Sequence, residues 1–193
     1  MTTSHWNGAR WWKFDFHAHT PASDDYGKGP RQSELKARTP REWLLDYMRA
    51  GVDCVGVTDH NSGAWVDRLK DAMASLLQEK PPGFRHLYLF PGVEISVSGG
   101  VHLLAIFGGA GTTSDIDSLL GAVGYSGNKG ASDDVTSKSF PEVLREVRAA
   151  GGIGIPAHVD LQNGLFTSFS GTTLLQALEC ESLFALEVVQ GAT

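Results

Sequence analysis

Short apolar runs of β-forming residues, each separated from the next by a capped helical stretch, constrain this 193-residue chain more than any other feature. Residues 11–17 carry Trp11, Trp12, Phe14 and Phe16, aromatic types that suit a pleated surface. Further runs lie at 52–58, 87–90, 101–107, 153–156 and, last, 185–189. Helix signals fall between them. Thr39-Pro40-Arg41-Glu42 joins a capping Thr, a Pro at the first helical position and a Glu that closes a capping box. Trp43, Leu44, Tyr47 and Met48 follow at helical spacing until Gly51 stops the helix. Residues 64–77 keep the same period through Trp65, Leu69, Met73, Leu76 and Leu77. Thr113 or Ser114 caps another helix, Ser139-Phe140-Pro141-Glu142 opens one that runs to Gly151-Gly152, and 172–181 is the last. Alternation of this kind predicts a parallel sheet with helical crossovers, either open or closed into a barrel. Residues 124–138 are rich in Gly, Ser, Asn and Asp and read as a mobile loop, and 1–10 read as a poorly ordered lead-in to one domain over 11–193.

The first run ends in His17-Ala18-His19. Residues two apart on a strand share a face, so both imidazoles can converge on one point, and Asp24 follows within reach of a turn at Pro21. That pattern suits a metal ion. Taken alone it equally suits two histidines that cap a core or face water. The other strand ends change the balance. His60 follows the second run, Glu94 the third and His158 a later one, so separate strands deliver metal-type side chains at their C-terminal ends. In an α/β barrel those ends open on one face, where active sites are built. His102 begins a strand, and its position leaves its role undecided. His5 and His86 have no such context and read as surface residues.

Composition narrows the partners. The formal charge is −6, which gives no broad basic face for tight electrostatic binding to a nucleic-acid backbone. Bound divalent cations would offset part of that charge locally. Within 20–38, Lys28, Arg31, Lys36 and Arg38 outnumber Glu34, so this stretch is a solvated loop or a grip for substrate phosphate. Cys54 and Cys180 are far apart with no Cys-x-x-Cys, as in a reducing compartment. The start lacks the pattern of a signal peptide, and no apolar run approaches the roughly 20 residues of a membrane span. A cytoplasmic protein with no membrane partner is expected.

Asp15-Phe16-His17-Ala18-His19-Thr20 with Asp24, Thr58-Asp59-His60-Asn61, Gly92-Val93-Glu94-Ile95-Ser96, His102-Leu103-Leu104 and Pro156-Ala157-His158 resemble, in order, the motifs of the PHP (polymerase and histidinol phosphatase) family. The resemblance implies a distorted (β/α)7 barrel, up to three divalent metals (Zn, Mn or Fe) and hydrolysis of phosphoesters. It implies metal-ligand roles for His17, His19, Asp24, His60, Glu94, His102 and His158. Asp24, His60 and Glu94 are then the expected catalytic residues, and Lys28, Arg31 and Arg38 the expected substrate-binding ones. Asp15 and Asp59 adjoin ligands and either orient imidazoles or make ordinary strand-end hydrogen bonds. Gly8-Ala9-Arg10-Trp11-Trp12-Lys13-Phe14 and Asp24-Asp25-Tyr26-Gly27-Lys28 also resemble the amino-terminal part of TrlF-type proteins, which implies a C-terminal AAA/SMC-like ATPase domain. The family's last motif, Asp-x-His, has no counterpart after His158. A barrel incomplete at its C-terminus is therefore expected, with an exposed sheet edge that favours homo-oligomers. The implied substrate is a phosphorylated small molecule, a nucleotide or a nucleic-acid end. Two rivals remain: a non-catalytic metal-binding module, and an amidohydrolase-type barrel, which also opens with His-x-His but relies on a strand-end lysine not found here.

Overall fold

The computed structural model describes residues 11–190. Its elements run β1 (Phe14–Ala18), α1 (Gln32–Lys36), α2 (Pro40–Arg49), β2 (Cys54–Val57), α3 (Val66–Glu79), β3 (Tyr88–Val97), β4 (Val101–Ile106), α4 (Thr113–Ala122), α5 (Phe140–Ala149), β5 (Ile153–Pro156), α6 (Leu165–Ser168) and α7 (Gly171–Leu178). The expected lead-in, 1–10, lies outside the described residues.

Five strands form one sheet in the order β1-β2-β3-β4-β5. β1, β2 and β3 are parallel, joined by helical crossovers as the alternation predicts. β4 departs from that expectation, because it pairs antiparallel with both β3 and β5. The cause is local. Three residues, Ser98, Gly99 and Gly100, join Val97 to its partner Val101, and the two glycines sit at φ +95° and +79°, a left-handed path that glycine takes without strain. β3 is also longer than expected, one strand where 87–90 and a separate Glu94 segment were read. The expected final strand at 185–189 is not one. It runs beside β5, held by hydrogen bonds of Glu187 with Pro156 and Val159, and a single bridge from Gly154 falls just before it, at Leu183. The stretch 124–138, expected to be mobile, is pinned instead: Gly130 N–H donates to His60 O, Asp24 N–H to Gly130 O, and Thr136 N–H to Ser96 O.

The two faces of the sheet differ in chemistry. On the outer face Val93, Ile95, Val97, Val101, Leu103 and Ala105 pack against α4 and α5 through Ile116, Leu119, Phe140, Leu144 and Val147. Val55 and Val57 meet Trp43, Leu44 and Met48 of α2 and Leu69 and Leu76 of α3 in a second cluster. Burying such side chains stabilises by about 1.5–3 kcal/mol each. The inner face carries Phe16 and Phe90, whose rings meet edge to face at 5.7 Å, and a small cluster of Leu104, Ile106 and Ala157. Gly92 lies on this face, where a Cβ would sit 2.8 Å from Ala105 O. Toward the C-terminal ends of the parallel strands the inner face turns polar, at Glu94, Ser96 and His102. The sheet is curled: β1 and β5 are its opposite edges, yet the rings of His17 and His158 stack 5.7 Å apart. The fold is a mixed α/β one with an open, barrel-like sheet of the distorted PHP type, as the resemblance implies.

Candidate metal centre

Glu94 sits in mid-β3 with its whole side chain buried. Its backbone is locked to the end of β2, for Glu94 N–H donates to Asp59 O at 3.0 Å and Asn61 N–H to Glu94 O at 2.8 Å. Imidazoles surround its carboxylate. Oε2 lies 3.1 Å from His17 Nε2, 3.1 Å from His19 Nε2 and 3.1 Å from His60 Nδ1. Oε1 lies 2.8 Å from His102 Nδ1 and 3.4 Å from His158 Nε2. The rings form a closed circuit. Centroids are 5.3 Å apart for His17–His19, 4.6 Å for His19–His60, 5.3 Å for His60–His102, 5.3 Å for His102–His158 and 5.7 Å for His158–His17. Hairpin direction settles the place of His102. Because β4 runs antiparallel, its first turn of chain lies at the same end as the C-termini of β1, β2 and β5. A strand start on β4 and a strand end on its neighbours are thus the same rim.

The ligand-type atoms fall into three groups, each within 4.8 Å of one another: His17, His19 and Glu94; His19, Asp25 and His60; His60, Glu94 and His102. Asp25 stands in the second group with Oδ2 3.4 Å from His60 Nε2. Asp24, its neighbour, lines the adjoining cleft with an exposed side chain and belongs to none of the three. His158 closes the circuit of rings from a backbone at φ 31°, a left-handed strain at a site-forming residue.

These residues fit divalent cations. His60 Nδ1, Glu94 Oε2 and His158 Nδ1 are buried without a hydrogen-bond partner in the protein. The close approaches to Oε2 are therefore contacts without hydrogen-bond alignment. Leaving such an atom unpaired costs about 1–3 kcal/mol or more; His60 Nδ1 and Glu94 Oε2 face each other at 3.1 Å inside the circuit, where an ion would satisfy both, while His158 turns Nε2 to Glu94. Mixed imidazole and carboxylate donors suit several divalent metals. Burial would push the Glu94 carboxyl up, but His102, His158, His17 and His19 around it hold it well below the ordinary carboxylate range. Burial pulls His17 down, and it is outweighed by Glu187 and Glu94, which lift it to about 10. Burial lowers His60, and Glu94 opposes it only in part.

Surrounding groups orient the rings. Ser23 Oγ donates to Asp59 Oδ1 at 2.8 Å, so His19 Nδ1, 2.8 Å from the same hydroxyl, must be the donor there. Its lone pair is then on Nε2, the nitrogen that faces Glu94. Asp59 also accepts from Thr20 N and Thr20 Oγ1 at 2.6 Å each, and burial pushes its carboxyl up against those bonds. Asp15 accepts from His17 N at 3.3 Å. Glu187, which no motif singles out, has its carboxylate 2.9 Å from His17 Nδ1. Its signal in the sequence is one acid inside the apolar run 185–189. Ser23 carries no signal beyond standing next to Asp24, and Asp25 none as a ligand beyond its place in the stretch 24–28.

Of the basic residues in 20–38, Lys28 lines a cleft of about 360 Å³ with Asp24, Asp25, Gln32, His60 and Asp133. Arg31 is bound to Glu34 and Arg38 to Asp46, away from that cleft. A second cleft of about 220 Å³ reaches His102 and Asn163 from the other side of Ser132 and Asp133. A larger cleft, about 660 Å³, lies between α4 and α5 and touches none of the histidines, so the chemistry and not the volume marks the site.

No protein-family model matches the chain, and no curated protein does. Solved structures do. One, from Bifidobacterium adolescentis and described as a metal-dependent phosphoesterase, is 20% identical with a TM-score of 0.56, over 91% of this chain and 77% of that one. The lesion-specific endonuclease PfuEndoQ of Pyrococcus furiosus is 18% identical with a TM-score of 0.61, over 94% of this chain and 43% of that one. An amidohydrolase from Chromobacterium violaceum, solved with sulfate and no metal, is 18% identical with a TM-score of 0.54, over 90% and 76%. The chain thus spans less than half of the endonuclease and about three quarters of the other two. At these identities the likeness is one of fold. The shared feature is a PHP-like fold, and on it this chain carries clusters of His, Asp and Glu able to hold divalent ions. No helix among the described residues is long and apolar enough to cross a membrane.

Proposed function

We propose that this chain is a metal-dependent phosphoesterase acting on nucleotides or nucleic-acid ends. The observation that carries the reading is the closed circuit of His17, His19, His60, His102 and His158 around the buried Glu94. Divalent cations held there would supply positive charge for phosphoryl oxygens and would acidify a water. Glu94 turns one oxygen to His17, His19 and His60 and the other to His102 and His158, so it would hold ions together with imidazoles on either side. Asp24, Asp25 and Asp133 around the mouth repel a phosphate in the absence of such ions, and Lys28 alone among the cleft's residues attracts it. Asp24 and His60 border the cleft where the substrate would lie and keep their proposed catalytic place with Glu94. Arg31 and Arg38 reach substrate only after leaving Glu34 and Asp46, so of the proposed substrate-binding residues Lys28 is the best placed.

The nucleic-acid substrate is supported by the likeness to an endonuclease. An ATPase on the same polypeptide, from the resemblance at residues 8–14 and 24–28, would give a nuclease its context, and the reading frame around these residues tests it. An amidohydrolase role is the second reading, supported by the likeness to the Chromobacterium violaceum protein. The test is metal analysis of the purified chain, then turnover of bis-p-nitrophenyl phosphate, nucleotides, DNA ends and an amide panel. Phosphoester turnover that is lost on chelation and in a His17→Ala, His19→Ala double variant supports the proposal. Turnover unchanged in that variant, or confined to amides, overturns it.

A further inference from the structure

Glu187 holds both edges of the curled sheet at once. Its backbone N–H donates to Pro156 O at 3.0 Å and its carbonyl accepts from Val159 N–H at 2.9 Å, which seats it beside the end of β5. Its carboxylate faces the other edge. Oε2 and Oε1 lie 2.9 and 3.1 Å from His17 Nδ1, and Oε2 also accepts the backbone N–H of His158 at 2.7 Å. A carboxylate can only accept, so the proton of that pair is on Nδ1. That leaves Nε2, the nitrogen 3.1 Å from Glu94 Oε2 and turned to the centre, as the one that would give up its proton and offer its lone pair to an ion. The bond to His158 N–H meanwhile fixes a residue whose φ of 31° few non-glycine residues hold unaided.

We propose that Glu187 is the positioning residue of the centre: it sets the tautomer and ring orientation of His17 and the backbone of His158, and so aims two ligands from opposite sheet edges at shared ions. The proposal rests on the reading of the site as a cation centre. Carboxylates that accept the far N–H of a ligating imidazole raise its basicity and restrict its rotation, and their loss weakens metal binding by about 10–100-fold. Glu187 makes that contact and adds a second to another ligand's main chain.

The experiment compares the full chain with its Glu187→Ala and Glu187→Gln variants. Co²⁺ affinity is measured by chelator competition and its ligand-field absorption, and the imidazole N–H signals of the Zn²⁺-loaded protein by NMR. Glu187→Ala is expected to bind Co²⁺ about 10–100-fold more weakly, with a changed absorption band and no exchange-protected His17 Nδ1–H. Glu187→Gln keeps an acceptor and is expected to lie between, several-fold weaker than the unaltered chain with the His17 signal retained. Glu187→Ala binding within twofold of the unaltered chain, with the signal present, overturns the proposal. Where Glu187→Ala does not fold, Glu187→Gln decides, and unaltered Co²⁺ affinity in it counts against the proposal. An unaltered chain that binds no Co²⁺ overturns the cation centre and this proposal with it.

Discussion

At the scale of single residues, Asp24 and Asp25 show how one position separates two chemistries. Both are acids in the same turn after Ser23, and residue type alone cannot rank them. The turn sends Asp25 Oδ2 to within 3.4 Å of His60 Nε2, while Asp24 is placed through its backbone, with N–H donating to Gly130 O at 2.8 Å. Asp25→Asn is therefore expected to weaken divalent binding more than Asp24→Asn, by about tenfold or more, since a charged donor is lost from one group and not the other. Equal losses in a chelator competition would show that Asp24, a ligand the motif resemblance implies, holds an ion as Asp25 does. His17 gives a pH dependence at the same scale. Glu187 and Glu94 lift it to about 10 in the metal-free protein against an ordinary 6.5, so at pH 7 it carries a proton that an ion must displace. Metal affinity is expected to rise with pH, with proton release visible by calorimetry in buffers of different ionisation heat. The metal-free fold responds in the opposite sense. A raised folded pKa means stability fully present below pH 6.5 and lost as pH climbs toward about 10, where His17 gives up its proton. Thermal melts of the chelated protein across that window read the loss, and melts that strengthen with pH would exclude it.

Among the elements, the helix starts were legible because capping is local. Thr39 N–H donates to Glu42 Oε2 at 2.8 Å and Glu42 N–H to Thr39 Oγ1 at 3.3 Å, the reciprocal pair that the four-residue spacing announces. Thr39→Ala is expected to cost about 1 kcal/mol in a denaturant melt at pH 7. The Thr39 N–H, which alanine keeps, and the Thr39 hydroxyl, which it loses, hold the Glu42 carboxyl below its ordinary range, so the hydroxyl's share of the deficit narrows in acid, as Glu42 gains a proton. A deficit independent of pH would mean that the hydroxyl acts only as acceptor of the Glu42 N–H. Strand direction was not legible in this way. Val101 to Ile106 has the same apolar character whether it pairs parallel or antiparallel, and only the Gly99-Gly100 turn decides. That is why His102 stood undecided by position, although it lies in the circuit with the others. The run at 185–189 looked like a strand because its residues are mostly β-formers, but its main-chain bonds to the end of β5 and the residues after it are those of Glu187 with Pro156 and Val159. The pinned loop at 124–138 was illegible for a related reason. Its order comes from Asn61, which donates to Ala131 O at 2.9 Å, and from Ser96, which donates to Ser132 O at 3.1 Å, partners more than thirty residues away.

For the molecule as a whole, the circuit of imidazoles spans the sheet from one edge to the other. β1 and β5 share no backbone ladder, and they meet through His17, His158 and the carboxylates between them. Ions in that circuit would bind the curled sheet and not the unfolded chain, so their free energy adds to folding. At free metal about 100-fold above the dissociation constant the gain is about 2.7 kcal/mol, which for a domain of this size raises Tm by roughly 5–10 °C. The gain should be uneven in space. Main-chain bonds that depend on the closure, such as Val159 N–H to Glu187 O at 2.9 Å, should become much slower to exchange, while amides of α2 and α3, packed in the separate cluster of Trp43, Leu44 and Leu69, should change little. Calorimetry and hydrogen exchange with and without Zn²⁺ measure both effects. A Tm that does not move at saturating metal, or protection that rises equally everywhere, would show that the sheet is closed by packing alone and that the imidazoles do not join its edges.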